Sequence, residues 1–391
     1  MNRADAIVIG AGAAGLMCAL TAGARGRRVI VLDHARKLGT KILISGGGRC
    51  NFTNLEVEPA RFVSGNPHFC KSALARYTQW DFIGLVASHG IGYHEKTLGQ
   101  LFCDRSARQI LDMLLYECAV AGVDVRVGHK VEEIGGGDRY RVRTDHGDFE
   151  APQLVIATGG PSVPKTGATS FAYDVARQFG LTVVPPEPAL VPFTLDRESL
   201  ALAAPLSGVA VDSETSCRKA RFRENILFTH RGLSGPAILQ VSTYWREGAA
   251  VRLDLLPDTR DPEALVALKR ARPRQRLKTA LAGWLPERLA ERLTARMFTD
   301  APLGDIPDKT LRKAFQRLKQ WEVVPSGTEG FAKAEVTRGG VDTCELSSRT
   351  MAAKKVPGLY VIGEAVDVTG WLGGYNFQWA WSSGWCAGQE L

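Results

Sequence analysis

The first pattern along the chain is a short apolar run, AIVIG at 6–10, which passes straight into a glycine-rich turn. An uninterrupted apolar run of that length marks a strand buried on both faces, as in a parallel sheet. A helical stretch to about Arg25 follows, then a second buried strand, RVIVLD, ending in Asp33. Helical periodicity returns near 71–89 and at 106–121, the latter opened by Ser106 as N-cap. Between Val123 and Glu150, short alternating segments are broken at Gly135-Gly136-Gly137 and Asp145-His146-Gly147, which predicts an antiparallel meander. LVIATGG at 154–160 reads as another buried strand ending in glycine. From about Leu190 short strands alternate with Pro and Gly breaks, and 260–321 is helical, interrupted at Pro273, Pro286, Pro302 and Pro307. A strand segment near 331–346 returns to the β-region, and GLYVIGE and a helix after Gly373-Gly374 close the chain.

The fold class this predicts is α/β, built on a nucleotide-binding domain made of 1–189 and 347–391. A β-barrel-like domain (190–259 with 322–346) and a basic helical insert (260–321) interrupt it. The turn Gly10-Ala11-Gly12-Ala13-Ala14-Gly15 lies between strand and helix, with Asp33 at the end of the next strand. In that setting Gly10 allows the tight turn, Gly12 admits a pyrophosphate to the backbone, and Gly15 lets helix and strand pack closely. The helix N-terminus, with Ala14 in its first turn, faces the phosphates, and Asp33 can accept from ribose hydroxyls. No second Gly-x-Gly-x-x-Gly unit exists. The single nucleotide fold is therefore expected to hold FAD non-covalently, with NADH or NADPH docking only transiently.

Composition changes this picture little, but charge adds to it. The 391 residues are 45% hydrophobic, with no apolar run long enough for a membrane span and no signal-peptide pattern. The eight cysteines (18, 50, 70, 103, 118, 217, 344 and 386) show neither Cys-x-x-Cys nor zinc spacing, so they read as reduced thiols in a cytoplasmic protein without a metal. The net charge is +8, and residues 260–321 carry all of it, with 15 Lys or Arg against 7 Asp or Glu. Such a segment is either a solvated helical face or a surface for a polyanion, nucleic acid being the usual one. KILISGGGRCNFTN at 41–54 is not a P-loop, because Gly48 is followed by Arg49 and Cys50 rather than Lys and a hydroxyl residue.

Together, GAGAAG, KILISGGGRCNFTN, ATGG, LFTHRGLSGPAIL and GLYVIGEAVDVTGWLGGYNFQWAWSSG resemble the YhiN family of bacterial FAD flavoproteins, from Ala6 to nearly the end of the chain. The resemblance implies a glutathione-reductase-like FAD domain with an inserted β-barrel and a helical insert. It implies reduction of a uridine of 23S rRNA near the peptidyl-transferase centre, with FAD and NADH. A sister branch is linked to steroid-type enones, so three readings stay open: an rRNA dihydrouridine synthase, a small-molecule enone reductase, and a non-catalytic flavin-bearing RNA-binding factor.

The resemblance also places residues. Gly46, Gly47 and Gly48 would let backbone pass close to the flat flavin, while Lys41, Arg49 and Asn51 meet its pyrophosphate or ring edge. Thr158 and Gly159 belong to the ATGG turn. Gly363 and Glu364, with Asp367 as alternative, would meet the ribityl chain. The last helix, opening at Tyr375 and Asn376, would direct its positive end at the flavin pyrimidine edge. Reducing a uracil C5=C6 bond also needs a proton at C5, for which Cys103, Cys50 and His230 are the candidates, although buried cysteine is more often a packing residue and a lone histidine more often positions backbone or substrate. Trp371, Trp379, Trp381 and Trp385 serve either core packing or stacking on an extruded base.

Overall fold

The computed structural model describes residues 2–391. The chain divides into two compact units, Met1–Glu187 with Val336–Leu391, and Pro188–Glu335.

The first unit is built on a five-stranded sheet in the order Leu359–Val361, Gln153–Ile156, Ala6–Ile9, Val29–Asp33, Asp124–Val127, every neighbouring pair parallel. The three central strands are almost wholly buried, which is why they read as continuous apolar runs rather than alternating ones. Helix Ala13–Ala24 follows the first strand, and the last helix, Tyr375–Gly388, packs against it. That contact depends on small residues. A Cβ at Gly384 would lie 2.5 Å from the Ala14 carbonyl oxygen, and one at Gly388 2.6 Å from that of Cys18.

The antiparallel meander is smaller than expected. Val131–Gly135, Tyr140–Thr144 and Gly147–Ala151 form it, joined in parallel by Asn2–Arg3. Asp124–Val127 instead becomes an edge of the parallel sheet, because helix Arg108–Val120 carries the chain back as a crossover. The helical stretch at 71–89 is two helices, Cys70–Arg76 and Gln79–Ser88, the second restarted by a capping box between Thr78 and Asp81. The Ser106 hydroxyl accepts from the Arg108 amide at 3.1 Å, beside the start of the helix it was expected to cap.

The second unit holds a seven-stranded sheet of antiparallel pairs, in the order Trp321–Val323, Val251–Asp254, Ala210–Cys217, Ala220–Phe228, Gly232–Ser234, Phe193–Thr194, Gly327–Thr328. Its first and last strands do not pair, so this order is open rather than barrel-like. Helices Ala264–Ala271, Leu277–Leu281, Glu287–Met297 and Asp308–Lys319 belong to the same unit, not to a body of their own. Pro286 and Pro307 sit immediately before the last two, where a missing N–H costs nothing. Leu311, Ala314, Phe315 and Leu318 recur at helical spacing to form a buried stripe. Val336–Val341, expected to return to the β-domain, lies in the first unit and pairs with Val183–Ala189.

The helix–helix seam yields a test. Gly384→Val should lower stability by about 1–3 kcal/mol, because the added carbons meet backbone that cannot rotate away. Thermal or urea unfolding of purified variant and wild type measures it.

Candidate active site around a dinucleotide cradle

The cradle begins where the first strand meets its helix. Gly10 has φ +107°, and a Cβ there would sit 2.7 Å from the Ala157 carbonyl oxygen. At Gly15 a Cβ would fall 1.9 Å from the Gly10 carbonyl oxygen. These two glycines therefore serve close packing of turn, helix and neighbouring strand. Gly12 differs, since a Cβ there would meet nothing within 4 Å. Helix Ala13–Ala24 has no side-chain cap and no acid in its first turn, so its leading amides can serve an anion. Asp33 closes the turn, its two oxygens accepting from the Ala11 and Ala35 amides at 2.8 Å each. Each oxygen keeps a lone pair for a hydroxyl.

Across the strand ends, the buried Thr158 hydroxyl has no hydrogen-bond partner. A buried polar group left so costs about 1–3 kcal/mol, a penalty that a polar ligand atom removes. The second glycine loop has the same open character. Gly46, Gly47 and Gly48 have φ of +55°, +65° and +86°, and Cys50 follows at +49°. A Cβ at Gly46 would meet the Phe102 ring at 2.8 Å, whereas at Gly47 it meets nothing within 4 Å, and at Gly48 the nearest atom is 3.9 Å away. The loop packs on its Gly46 side and leaves Gly47 and Gly48 free to lie against something flat. The residues present thus fit a dinucleotide.

The charged groups arrange themselves differently from expectation. Lys41 Nζ donates to Glu364 Oε2 at 2.5 Å and to Ser162 Oγ at 2.6 Å. Ser162 Oγ in turn donates to Glu364 Oε1 at 2.6 Å, which also accepts from the Thr337 amide at 2.9 Å. Lys41 is therefore paired with Glu364 instead of standing as a free charge, and Glu364 retains room for one more donor. Gly159 lies beside this carboxylate, its Cβ position 3.8 Å from Oε2. Gly363, at φ +66°, brings the strand end against Ala14 of the first helix. Sequence reasoning missed Ser162 and Thr337. The clues were the serine two residues past ATGG and the threonine preceding Arg338-Gly339-Gly340.

Other expected ligand residues are occupied within the protein. Asp367 is buried and accepts from the Gly65 amide at 2.8 Å, and burial pushes its carboxyl above the usual range. The Tyr375 hydroxyl accepts from Arg61 at 2.5 Å. Asn376 bonds the Gly370 amide and carbonyl at 2.8 and 2.9 Å, folding the loop ahead of the last helix. The side-chain amides of Asn51 and Gln100 lie 3.1 Å apart on neighbouring antiparallel strands. Tyr375 and Asn376 can still offer main-chain amides, because that helix begins after Gly374 without a side-chain cap. Arg49 keeps an exposed guanidinium without a partner among the described residues.

The proton-donor candidates differ in where they lie. Cys50 and Cys103 are both 0% exposed and packed in the core of the first unit. Burial pushes Cys50 to about 12 and Cys103 to about 11, which fits packing thiols. His230 is exposed, in the second unit, on the turn between Ala220–Phe228 and Gly232–Ser234. Trp379 and Trp381 are core residues at 1% and 0% exposure.

Phosphate-facing helix, strand-end acid and glycine-opened walls around a parallel sheet define a Rossmann-type dinucleotide-binding protein. The family model described as HI0933-like protein Rossmann domain matches residues 4–390, and the chain belongs to that family. It is 55% identical to the ribosomal RNA dihydrouridine synthase of Escherichia coli (strain K12), covering 100% of this chain and 98% of that protein. It is 49% identical to the protein of the same name from Haemophilus influenzae, with 96% of each covered. Identity to the 3-dehydro-bile acid delta(4,6)-reductase of Clostridium scindens is 29%, over 100% of this chain and 98% of that one. Among solved structures, a quinol-fumarate reductase matches 100% of this chain and 70% of its own at TM-score 0.53 and 15% identity, a likeness of fold alone.

Of the eight cysteines, only Cys344 is exposed. Titration of the native protein with a thiol reagent such as Ellman's should therefore release one equivalent rapidly, and the other seven only on unfolding. Rapid labelling of Cys50 or Cys103, read by peptide mapping, would restore them as solvent-reachable acids.

Proposed function

We propose that this chain is an FAD-dependent oxidoreductase that reduces a uridine of 23S rRNA to dihydrouridine, with NADH or NADPH as transient electron donor. The observation that carries the reading is full-length identity of 55% and 49% to two curated ribosomal RNA dihydrouridine synthases. The glycine turn, the unpartnered Thr158 hydroxyl and the open Gly47–Gly48 face support FAD as the dinucleotide. Bound FAD supplies hydride chemistry. The chain's own residues anchor it, through the amides of the first helix at the pyrophosphate, Asp33 at the ribose and Glu364 toward the ribityl hydroxyls. Neither Cys50 nor Cys103 carries the proton in this reading, and His230 is the sequence candidate that solvent reaches. The target base must leave its stack, at a cost of a few kcal/mol, because a flavin cannot lie against C6 within a helix.

RNA affinity is assigned to the helices of 264–319. Arg272, Arg274 and Lys278 near the Pro273 break are exposed and have no ion-pair partner among the described residues, and the same holds for Lys309, Lys313 and Arg317 at four-residue spacing on one helix. Arg276, which lies between Arg274 and Lys278 in sequence, is taken by Asp300 at 2.9 Å.

Three outcomes are expected. Purified protein should be yellow and release FAD on heating, and Gly12→Val should emerge colourless, because its branched side chain fills the phosphate path; retained flavin in that variant, or FMN in wild type, would refute the cradle. Incubated with 23S rRNA and NADH or NADPH, the wild type should add two hydrogens to one uridine, seen by mass spectrometry. No such product together with rapid turnover of a steroid enone would transfer the activity to the bile-acid-reductase side of the family. Reversing Arg272, Arg274 and Lys278 to Glu should weaken RNA binding about 10-fold or more and flatten its salt dependence by about 0.7 for each phosphate no longer neutralised, with FAD content retained. Unchanged affinity would make these helices a solvated face.

A further inference from the structure

A three-stranded antiparallel sheet, in the order Asn51–Asn54, Gln100–Cys103, Tyr93–Glu95, joins two parts of the cradle. The Phe102 ring packs at Gly46 of the glycine loop, 2.8 Å from where a Cβ would stand. Gly374, which precedes the last helix, packs on Thr53, with its Cβ position 2.4 Å from the Thr53 carbonyl oxygen. A tight turn at 96–99 connects two strands of this sheet, and Asn54 ties that turn to the approach to the last helix. Its Nδ2 donates to the Leu98 carbonyl at 3.0 Å and to the Gly373 carbonyl at 2.9 Å.

The turn is firmly held. The Gln100 amide donates to the Thr97 carbonyl at 3.0 Å, the Gly99 amide to Glu95 Oε1 at 3.1 Å, and the Leu55 amide to the Gly99 carbonyl at 2.8 Å. Its central residues, Leu98 and Gly99, have φ of +51° and +75°. Asn-Gly is the ordinary pair for that backbone, because left-handed φ is costly for most residues with a Cβ and Asn tolerates it well. Five other non-glycine residues among those described have positive φ. Cys50, Leu190 and Met351 are buried, so core packing offsets their strain, while Val163 is half-buried and Arg218 is polar. Leu98 differs from all five, joining positive φ to an apolar side chain that is 60% exposed. Folding gains from it on neither count. Glu95, Lys96 and Thr97 are exposed and polar, so the turn presents one apolar side chain rather than an apolar patch. Lys96 has no ion-pair partner among the described residues, its ammonium lying 5.5 Å from the Phe102 ring centroid.

We infer that Leu98 is the wedge that enters the RNA base stack as the target uridine leaves it; the inference rests on the RNA reading above. An extruded base leaves a gap one base thick between two apolar faces, and water fills such a gap poorly. Apolar side chains placed between base steps hold a stack open. A single leucine on a hydrogen-bonded turn suits that task, since little ordering is left to be done on binding. Lys96 beside it can meet the flanking phosphate. Asn54 sets the span from the wedge to the approach to the last helix, so one frame both opens the stack and stands beside the cradle. Strain kept at an exposed position then serves the substrate rather than the fold.

The test compares wild type, Leu98→Asn and Leu98→Met, each checked for FAD content. Leu98→Asn suits the turn better and should unfold at the same or a higher temperature than wild type; a lower one would show that the fold needs this leucine and would overturn the inference. With a duplex RNA carrying 2-aminopurine beside a uridine, wild type and Leu98→Met should raise the fluorescence as the stack opens, and Leu98→Asn should not. On 23S rRNA, Leu98→Asn should lower kcat/KM for dihydrouridine formation about 10- to 100-fold, the scale of one base's unstacking, and Leu98→Met should recover most of it. An equal fluorescence rise with Leu98→Asn, no rise with wild type, or undiminished rRNA reduction by Leu98→Asn overturns the wedge alone. Wild-type protein that forms no dihydrouridine in rRNA overturns both the wedge and the reading beneath it.

Discussion

Everything in the first unit depends on how closely one helix can approach the strand ends. A helix offers its free amides to a phosphate only when its first turn stands at the carboxyl edge of the sheet, with nothing projecting between. Gly10 and Gly15 permit that approach from the strand side, since each would drive a Cβ into backbone carbonyl oxygen. Gly384 and Gly388 permit it from behind, where the last helix presses on the first. Gly363 completes the enclosure by bringing the late strand end against Ala14. The two ends of the sequence are thereby made parts of one cradle. Gly12 differs, since a Cβ there would meet nothing within 4 Å and packing does not demand glycine.

The same economy of space governs charge. A cation and a carboxylate brought into a partly buried wall are costly singly and tolerable as a hydrogen-bonded pair. Lys41 and Glu364 meet in this way, with Ser162 bridging and the Thr337 amide completing the carboxylate's shell. A ligand hydroxyl that reaches Glu364 then meets an acceptor already oriented from three directions. Asp367 shows the contrast. Its carboxyl, buried with the Gly65 amide as donor, is pushed up rather than down, which suits a structural bond more than a ligand contact.

The sequence made the nucleotide fold legible because its signals are local. Buried strands, glycine turn and Asp33 lie within the first 33 residues, where each positional requirement has one residue type that meets it. Asp124–Val127 and Val336–Val341 depart from expectation for a different reason: a short strand's partner is decided by the crossover that delivers it, and no residue within the strand records that. Seven antiparallel strands in the second unit read correctly as a β-region, but closure depends on whether the end strands meet, which periodicity does not encode. Glu364 stands at the end of the late strand and Tyr375 and Asn376 open the last helix, as their local pattern predicts, with Asp367 between them. What they bond to depends on Lys41, Gly65, Arg61 and Gly370, which lie far from them in sequence or on a loop of undefined path. The cysteines show a related limit, since thiol reactivity depends on exposure, and exposure is settled only by packing.

Net charge is subject to the same limit. The 15 cations of 260–321 suggest a large polyanion surface when counted from sequence. Folding engages a good part of them. Lys269, Arg276, Arg312 and Lys319 pair with Asp308, Asp300, Glu263 and Asp254. Arg288 and Arg292 donate to the Pro205 and Ala201 carbonyls. These six hold the helices to each other and to the rest of their unit. A paired cation has already given up its freedom and much of its field, so it releases little on meeting a phosphate. The electrostatic footprint is therefore smaller than the sequence count and better defined in place: one patch about the Pro273 break, and one row of Lys309, Lys313 and Arg317 along a single helix face. Exposed, unpaired cations in such a patch and row are suited to meeting phosphates, contacts that carry no sequence information of their own.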